Sequence, residues 1–437
     1  MQKNLTYKIS TLAGIAIVMA NMIGTGVFTS LGFQLKEMQN PISILTLWIL
    51  GGVLALSGAF SYAEVGTYIR KSGGEYAFLS EIYHPIVGYL SGWISLTVGF
   101  AAPIALAAIA FTEYFQFGGF STKWSSVLIV AVITFIHTKN LRTSSRFQII
   151  STLFKILVTL AIILSGLVMT SDTNISLEIT PDYYREIKSG AFAISLIYVT
   201  YSYSGWNAAA YITEEFETPR KSLPIALVGG TLIVTFLYTL LQFVFLKHVP
   251  IAELTDQIEV GAIATEKMFG ESISKFFSIV ISILLISSIS AMVWVGPRVT
   301  SSMANQHRLW HYFKTAKNKI PQRALWLQFA ISFILIATGS FEQIMIYCGV
   351  LLTLSTMLVV YAVFILRFKN KDKKTDTYRS PLFPLFQILY LVLSSWMIIY
   401  TITNHPYETT IGLLNLLIGM ITYYISRRLT NAKSIKE

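Results

Sequence analysis

Long, almost uncharged runs of Ile, Leu, Val, Phe and Ala alternate with short polar stretches along the whole chain. Runs of about 17 to 25 such residues can cross the hydrocarbon core of a bilayer as helices. They predict an all-α membrane protein with twelve spans, at about 10–32, 42–68, 86–112, 124–138, 147–170, 190–212, 223–247, 272–303, 324–340, 342–366, 382–402 and 408–427. Two runs carry a break. Leu12 to Phe33 is interrupted by Asn21-Met22-Ile23-Gly24-Thr25-Gly26, and Ala191 to Tyr211 by Tyr203-Ser204-Gly205. Irregular backbone at mid-bilayer depth persists only where protein or a cavity satisfies its freed polar groups. Two matched breaks therefore point to one shared site.

The remaining composition fits this pattern. Of 437 residues, 54% are apolar and 13% charged, too apolar for an ordinary soluble fold. The net charge of +11 lies in the connections, and no basic patch is interleaved with base-stacking aromatics, so no nucleic-acid partner is expected. Counted alternately across the spans, 25 Lys and Arg fall on one side and 7 on the other. Cytoplasmic loops retain positive charge, so both termini are expected in the cytoplasm and the chain in the cytoplasmic (inner) membrane, crossing it many times. The first run lacks an A-x-A-like cleavage site and reads as a retained span. Cys348 is the single cysteine, which excludes an intrachain disulfide and a cysteine metal cluster. His84, His137, His248, His307, His311 and His405 lie in or beside predicted loops, which disfavours a metal-centred enzyme. Neither metal nor cofactor is expected.

The spacing assigns chemistry to the breaks. Span 1 runs outward and span 6 inward, so their broken points meet as antiparallel partners. This is the pattern of an inverted repeat of spans 1–5 (10–170) and 6–10 (190–366), followed by two peripheral helices (382–427), within a single transmembrane domain, 1–437. Each break leaves carbonyls on one half-helix and N–H groups on the other without partners, and the second halves present partial positive charge. An α-amino acid zwitterion suits such a place. Its carboxylate accepts from the N–H groups of Thr25 and Gly26, while its ammonium donates to carbonyls near Ile23 and Tyr201 to Tyr203. The expected binding set is Ile23, Gly24, Thr25, Gly26, Tyr201, Ser202, Tyr203, Ser204, Gly205 and Asn207. Close helix packing is the alternative use of these small residues, and the correspondence between two breaks favours the site.

Ile23-Gly-Thr-Gly-Val-Phe28 resembles the first-helix signature of the amino acid-polyamine-organocation superfamily. Tyr203-Ser-Gly-Trp-Asn207, Thr213-Glu-Glu215, Thr218-Pro-Arg-Lys-Ser-Leu-Pro224 and Gly296-Pro-Arg-Val299 resemble its L-type amino acid transporter branch. The resemblance runs from Ala13 to the last span. It implies ten core helices in two inverted repeats, alternating access, substrate held at spans 1 and 6, and Tyr201 closing over it. Two positions depart from the family pattern. Ser204 stands where glycine is common and Tyr201 where phenylalanine is common, and both add hydroxyls to the pocket.

Lys155 lies about 12 Å inside span 5 at 1.5 Å per residue, within a hydrocarbon core about 30 Å thick. An ionised group there must be paired or neutral. The resemblance implies that this lysine occupies the place of sodium in related carriers and links the first break to span 8, where Ser287, Ser288 and Ser290 are the partners on offer. Some human members of the branch carry a disulfide-linked accessory subunit, held through a cysteine between spans 3 and 4. The loop Glu113 to Lys123 has none, so no such subunit is expected. The reading is therefore secondary active transport of amino acids, neutral L-amino acids first, by sodium-independent antiport or proton linkage. A polyamine or sodium-coupled carrier, a channel and a transport-like membrane sensor stay open. A membrane-embedded enzyme would need a polar cluster within the spans, and none is apparent.

Overall fold

The computed structural model describes residues 8–115, 121–139, 143–171, 173, 175–315, 319–369 and 377–434. Lys3, Arg142 and the middles of the Glu113–Lys123 loop and the Lys369–Arg379 linker lie outside them.

Helices stand at every place where the apolar runs predict one. They are α1 (Thr11–Met22), α2 (Pro41–Ile69), α3 (Pro85–Phe115), α4 (Thr122–Lys139), α5 (Thr143–Val168) and α6 (Gly190–Tyr203). Then come α7 (Pro219–His248), α8 (Glu271–Gln306), α9 (Gln322–Thr338), α10 (Phe341–Lys369), α11 (Leu385–Asn404) and α12 (Pro406–Ser434). Among the described residues nine helices are long and apolar enough to cross a membrane, counting Thr11–Thr29 as one. The other three predicted spans coincide with helices that are shorter or less apolar: α9 has 17 residues, α6 has 14, and α4 falls short in apolarity.

Local chemistry sets the ends. Asn40 caps α2 by accepting from the Ile42 N–H, with Pro41 at the first helical position, and Arg70 closes the helix in the left-handed region at φ 53°. Pro85 and Pro219 open α3 and α7 in the same way. The stretch Ser95–Phe100 inside α3 is wound as a π-helix, a form that widens the turn and recurs at functional sites. Three polar connections read as loops are partly helical, at Gly74–Ile82 between α2 and α3, at Pro181–Ile187 between α5 and α6, and at Ile251–Leu254 and Val260–Phe269 between α7 and α8.

The helices pack in a layered bundle in which α2 lies along α7, α3 along α8, α1 along α7 and α6 against α2 and α10. Large apolar side chains such as Leu232, Phe236, Phe276, Ile283, Leu413 and Ile418 remain exposed on outer faces, as lipid contact requires. Inside, a charged clasp joins three helices. The Arg367 guanidinium on α10 donates from Nε and Nη2 to the two Glu64 oxygens on α2, both at 2.7 Å. Ser380 N–H, ahead of α11, donates to Glu64 Oε2 at 2.7 Å, and the guanidinium lies 4.0 Å from the Phe383 ring centroid. Glu64 is 5% exposed, so deleting its partner would strand a buried charge.

That burial separates this pair from those on the surface. Arg367→Ala, which leaves the buried Glu64 carboxylate without its ion pair, is expected to destabilise the protein by about 3 kcal/mol, the range for breaking a buried pair. Glu81→Ala, which removes the exposed Lys71–Glu81 pair, is expected to change stability by less than about 1 kcal/mol. Thermal melting of both variants in detergent checks the contrast.

Candidate functional site

Both predicted breaks exist and they touch. The first helix stops at Met22, and Ile23 caps it with ψ 87° outside the helical region. Winding resumes only at Gly26–Thr29 and Leu31–Gln34. Helix α6 stops at Tyr203, followed by Ser204 at ψ 148° and Gly205 at φ 99°. No further α-helix follows this break. Winding continues as a 3-10 stretch, Ala208–Glu215, kinked at Ile212, so the expected α-helical second half of span 6 is replaced by a tighter and shorter one.

Antiparallel contact between the two segments is visible residue by residue. A Cβ on Gly205 would sit 2.6 Å from the Asn21 carbonyl oxygen, and one on Gly26 would sit 2.5 Å from Ser202 Oγ. Between these points the Thr25 and Tyr201 hydroxyls are 3.1 Å apart. Only residues without a side chain allow the two backbones this close, and Gly205 additionally needs a φ that L side chains rarely adopt.

The freed carbonyls of the first break are met by side chains from neighbouring helices. Tyr238 Oη on α7 donates to the Met22 carbonyl. Gln242 Nε2, one turn along α7, donates to that of Val27 at 2.9 Å. Tyr114 Oη on α3 donates to that of Phe28 at 2.9 Å. Each unmet group in hydrocarbon would cost several kcal/mol, so these three bonds make the break sustainable. No backbone hydrogen bond among the described residues uses the Thr25 or Gly26 N–H.

A cavity of about 1210 Å³ ends on this junction. Its walls include Tyr201, Tyr203, Ser204, Gly205 and Asn207 from the predicted set, together with Asn21 of α1, Gly99 and Phe100 of the π-helical turn, and Trp294 of α8. Ile9, Ser10, Glu215 and Arg298 also line it, and the last three are exposed. Thr25, Gly26 and Ser202 are buried and do not line it, and neither do Ile23 and Gly24. Tyr201 lies between the cavity and Thr25. Ser202 turns the other way, bonded to Ser30 Oγ at 2.9 Å and to the Tyr198 carbonyl at 2.9 Å.

The far end is shut. Lys36 Nζ, just past the first span, reaches Asp256 at 2.8 Å and Glu342 at 2.9 Å, and Tyr198 Oη donates to Glu342 at 2.6 Å. Burial pulls the Lys36 pKa down, but its hydrogen bonds to both carboxylates outweigh that and hold it above the ordinary lysine value. The Asp256 N–H donates to the Gly32 carbonyl at 2.8 Å, and Phe33 stacks on Phe341 with centroids 5.6 Å apart.

Lys155 is 4% exposed and donates to Ser288 Oγ at 2.7 Å. Both flank a void, too small for water, whose other walls include Ile23 and Gly24. Ser287 Oγ is buried without a partner, and Ser290 pairs with His137 at 2.8 Å. The structure thus brings one of the three expected serines to the lysine. Among the described residues no group of three His, Cys, Asp or Glu is placed to hold a metal.

One wall residue escaped the sequence reading. Glu75, in the short helix Gly74–Ile82, is 6% exposed and faces the segment after the second break. The only signal was the pair Gly73-Gly74, which turns the chain at φ 120° and 56°.

Comparison with known proteins agrees with this architecture. The family model described as amino acid permease matches residues 9–424. The b(0,+)-type amino acid transporter 1 of Mus musculus is 28% identical, covering 97% of this chain and 88% of its own length. The serine/threonine exchanger SteT of Bacillus subtilis is 27% identical over 95% of this chain and 96% of its own. The cystine/glutamate transporter of Homo sapiens is 25% identical over 96% and 85%. With its many apolar helices and a family match over nearly its whole length, the chain is an integral, multi-pass membrane protein that belongs to the amino acid permease family, within the amino acid-polyamine-organocation superfamily.

Proposed function

We propose that the protein is a secondary carrier of neutral L-α-amino acids that works by alternating access. The observation that carries the reading is the cavity lined by the second unwound segment, Tyr203 to Asn207, and by Tyr201, whose hydroxyl bonds that of Thr25 in the first. A zwitterion there meets the main chain of the second break, and the N–H groups of Thr25 and Gly26 lie behind Tyr201. Charge-assisted hydrogen bonds of about 1.5–3 kcal/mol each offset its dehydration. Tyr201 covers Thr25 in this state, so its ring moves when substrate engages the N–H groups of Thr25 and Gly26. The named relatives transport or exchange amino acids, which supports the same class here.

A repeat of five helices supports alternating access. Exchanging α1–α5 with α6–α10 maps contacting pairs onto contacting pairs: α1–α7 onto α6–α2, α3–α9 onto α8–α4, and α1–α5 onto α6–α10. The α2–α7 and α3–α8 pairs map onto themselves. This favours twelve spans, ten of them in the inverted repeat, with α11 and α12 peripheral. The excess of Lys and Arg on the side where Ser10, Glu215 and Arg298 line the cavity supports a cytoplasmic opening there, with the Lys36 cluster closing the outer face.

Lys155 fills the space between the first break and α8 and bonds Ser288, as a cation held there would. Transport is accordingly independent of sodium. Exchange or proton linkage supplies the driving force.

Two outcomes test this. Purified protein in liposomes preloaded with L-serine, L-threonine or L-leucine should show saturable counterflow of at least one of the tritiated compounds, unchanged when sodium is replaced by choline. Absence of counterflow by all three, with sodium present or absent, contradicts the reading. Lys155→Ala should slow uptake about tenfold or more, since one lost charge-assisted hydrogen bond of about 1.5–3 kcal/mol corresponds to that factor. An unchanged rate would remove Lys155 from the cycle.

A further inference from the structure

Glu75 is a buried acid in the cavity wall held only by neutral groups. It accepts from Tyr62 Oη of α2 at 2.7 Å, from Asn207 Nδ2 at 2.7 Å and from Tyr211 Oη at 2.5 Å. Tyr390 of α11 lies within its electrostatic reach. No Lys, Arg or His among the described residues pairs with it, so no cation fixes its charge from α2, α10, α11 or the 3-10 stretch. Gly73 N–H also donates to the Tyr211 carbonyl at 3.1 Å, which seats the short helix on the segment after the break.

The consequence lies in Asn207. An ionised carboxylate accepts hydrogen bonds and cannot donate them, so the amide facing Glu75 must present its NH₂. Its carbonyl Oδ1 is then aimed elsewhere. Within the described residues that atom receives no hydrogen bond, it is not among the sealed unpartnered atoms, and Asn207 lines the cavity two residues past Gly205. Resting on the reading of the cavity as an amino-acid site, we propose that Glu75 is a positioning residue that orients Asn207 Oδ1 toward the cavity as an acceptor for the ammonium group of the substrate.

The test compares the neutral amino acid that counterflows fastest with its α-hydroxy acid analogue, in which a hydroxyl replaces the ammonium. Glu75→Gln, whose amide can face Asn207 either way, should raise the KM for the amino acid at least tenfold with kcat changed less than twofold. The same variant should narrow the preference for ammonium over hydroxyl. Asn207→Ala should narrow it equally, and adding Glu75→Gln to Asn207→Ala should do nothing more. Glu75→Asp should restore the preference. A folded Glu75→Gln protein with unaltered KM and amine preference would overturn the proposal. So would a loss confined to kcat. If Glu75→Gln does not fold, an amine preference left intact by Asn207→Ala overturns it. Wild-type protein that transports no amino acid would instead defeat the underlying functional reading, before any variant is compared.

Discussion

A main-chain amide that loses its helical partner inside an apolar slab must find another, and this constraint organises the molecule. The first span gives up its winding between Met22 and Gly26, and the carbonyls on either side are taken up by Tyr238, Gln242 and Tyr114. The second broken span ends in a left-handed glycine pressed against Asn21. Both breaks would be intolerable singly in lipid. Packed against each other, and roofed by tyrosines and a glutamine from α3 and α7, they form the end of a cavity. Behind Tyr201, which lines that end, the N–H groups of Thr25 and Gly26 have no backbone acceptor among the described residues, and these are donors a carboxylate needs.

The same constraint explains the asymmetry of the two faces. On one side the cavity reaches the exposed Glu215 and Arg298. On the other, Lys36 spans two carboxylates from different parts of the chain, and the main chain at Gly32 is pressed against the residues after α7. Contacts of this kind lie between elements that must separate if the site is ever to open outward. They are polar and partly exposed, hence individually weak, which suits a closure that forms and breaks. The Glu64–Arg367 clasp is buried and bidentate, joins α2 to α10, and belongs to what stays together.

Much of this was legible in the chain. Apolar runs located the helices because lipid imposes one length and one polarity on every span, and the interruptions at Gly24–Gly26 and Ser204–Gly205 stood out against them. The family resemblance directed Lys155 toward the serines of α8, and Ser288 is the one it bonds. Where the reading fell short, tertiary context was decisive. Ser202 sits in the right segment but on the face turned to Ser30, and its direction depends on where α6 stops. The span after Gly205 winds as a 3-10 stretch whose Tyr211, together with Asn207 ahead of it, is tied to Glu75, a contact 132 residues away in sequence for Asn207. Glu75 itself looked like a loop residue, because its short helix shows no span-length periodicity. Ser290 was lost to His137, which the sequence placed at the edge of a helix and the fold turns inward.

The central claim is that both unwound segments hold the substrate by their main chains. A cryo-electron microscopy map of the protein saturated with a transported L-α-amino acid tests it most directly. The account predicts density at the closed end of the cavity, with the carboxylate at the N–H groups of Thr25 and Gly26, the ammonium at carbonyls near Ile23 and Tyr201 to Tyr203, and the Tyr201 ring displaced. Ligand density seated elsewhere in the cavity, with Tyr201 still closed over Thr25 and both segments untouched, would contradict it.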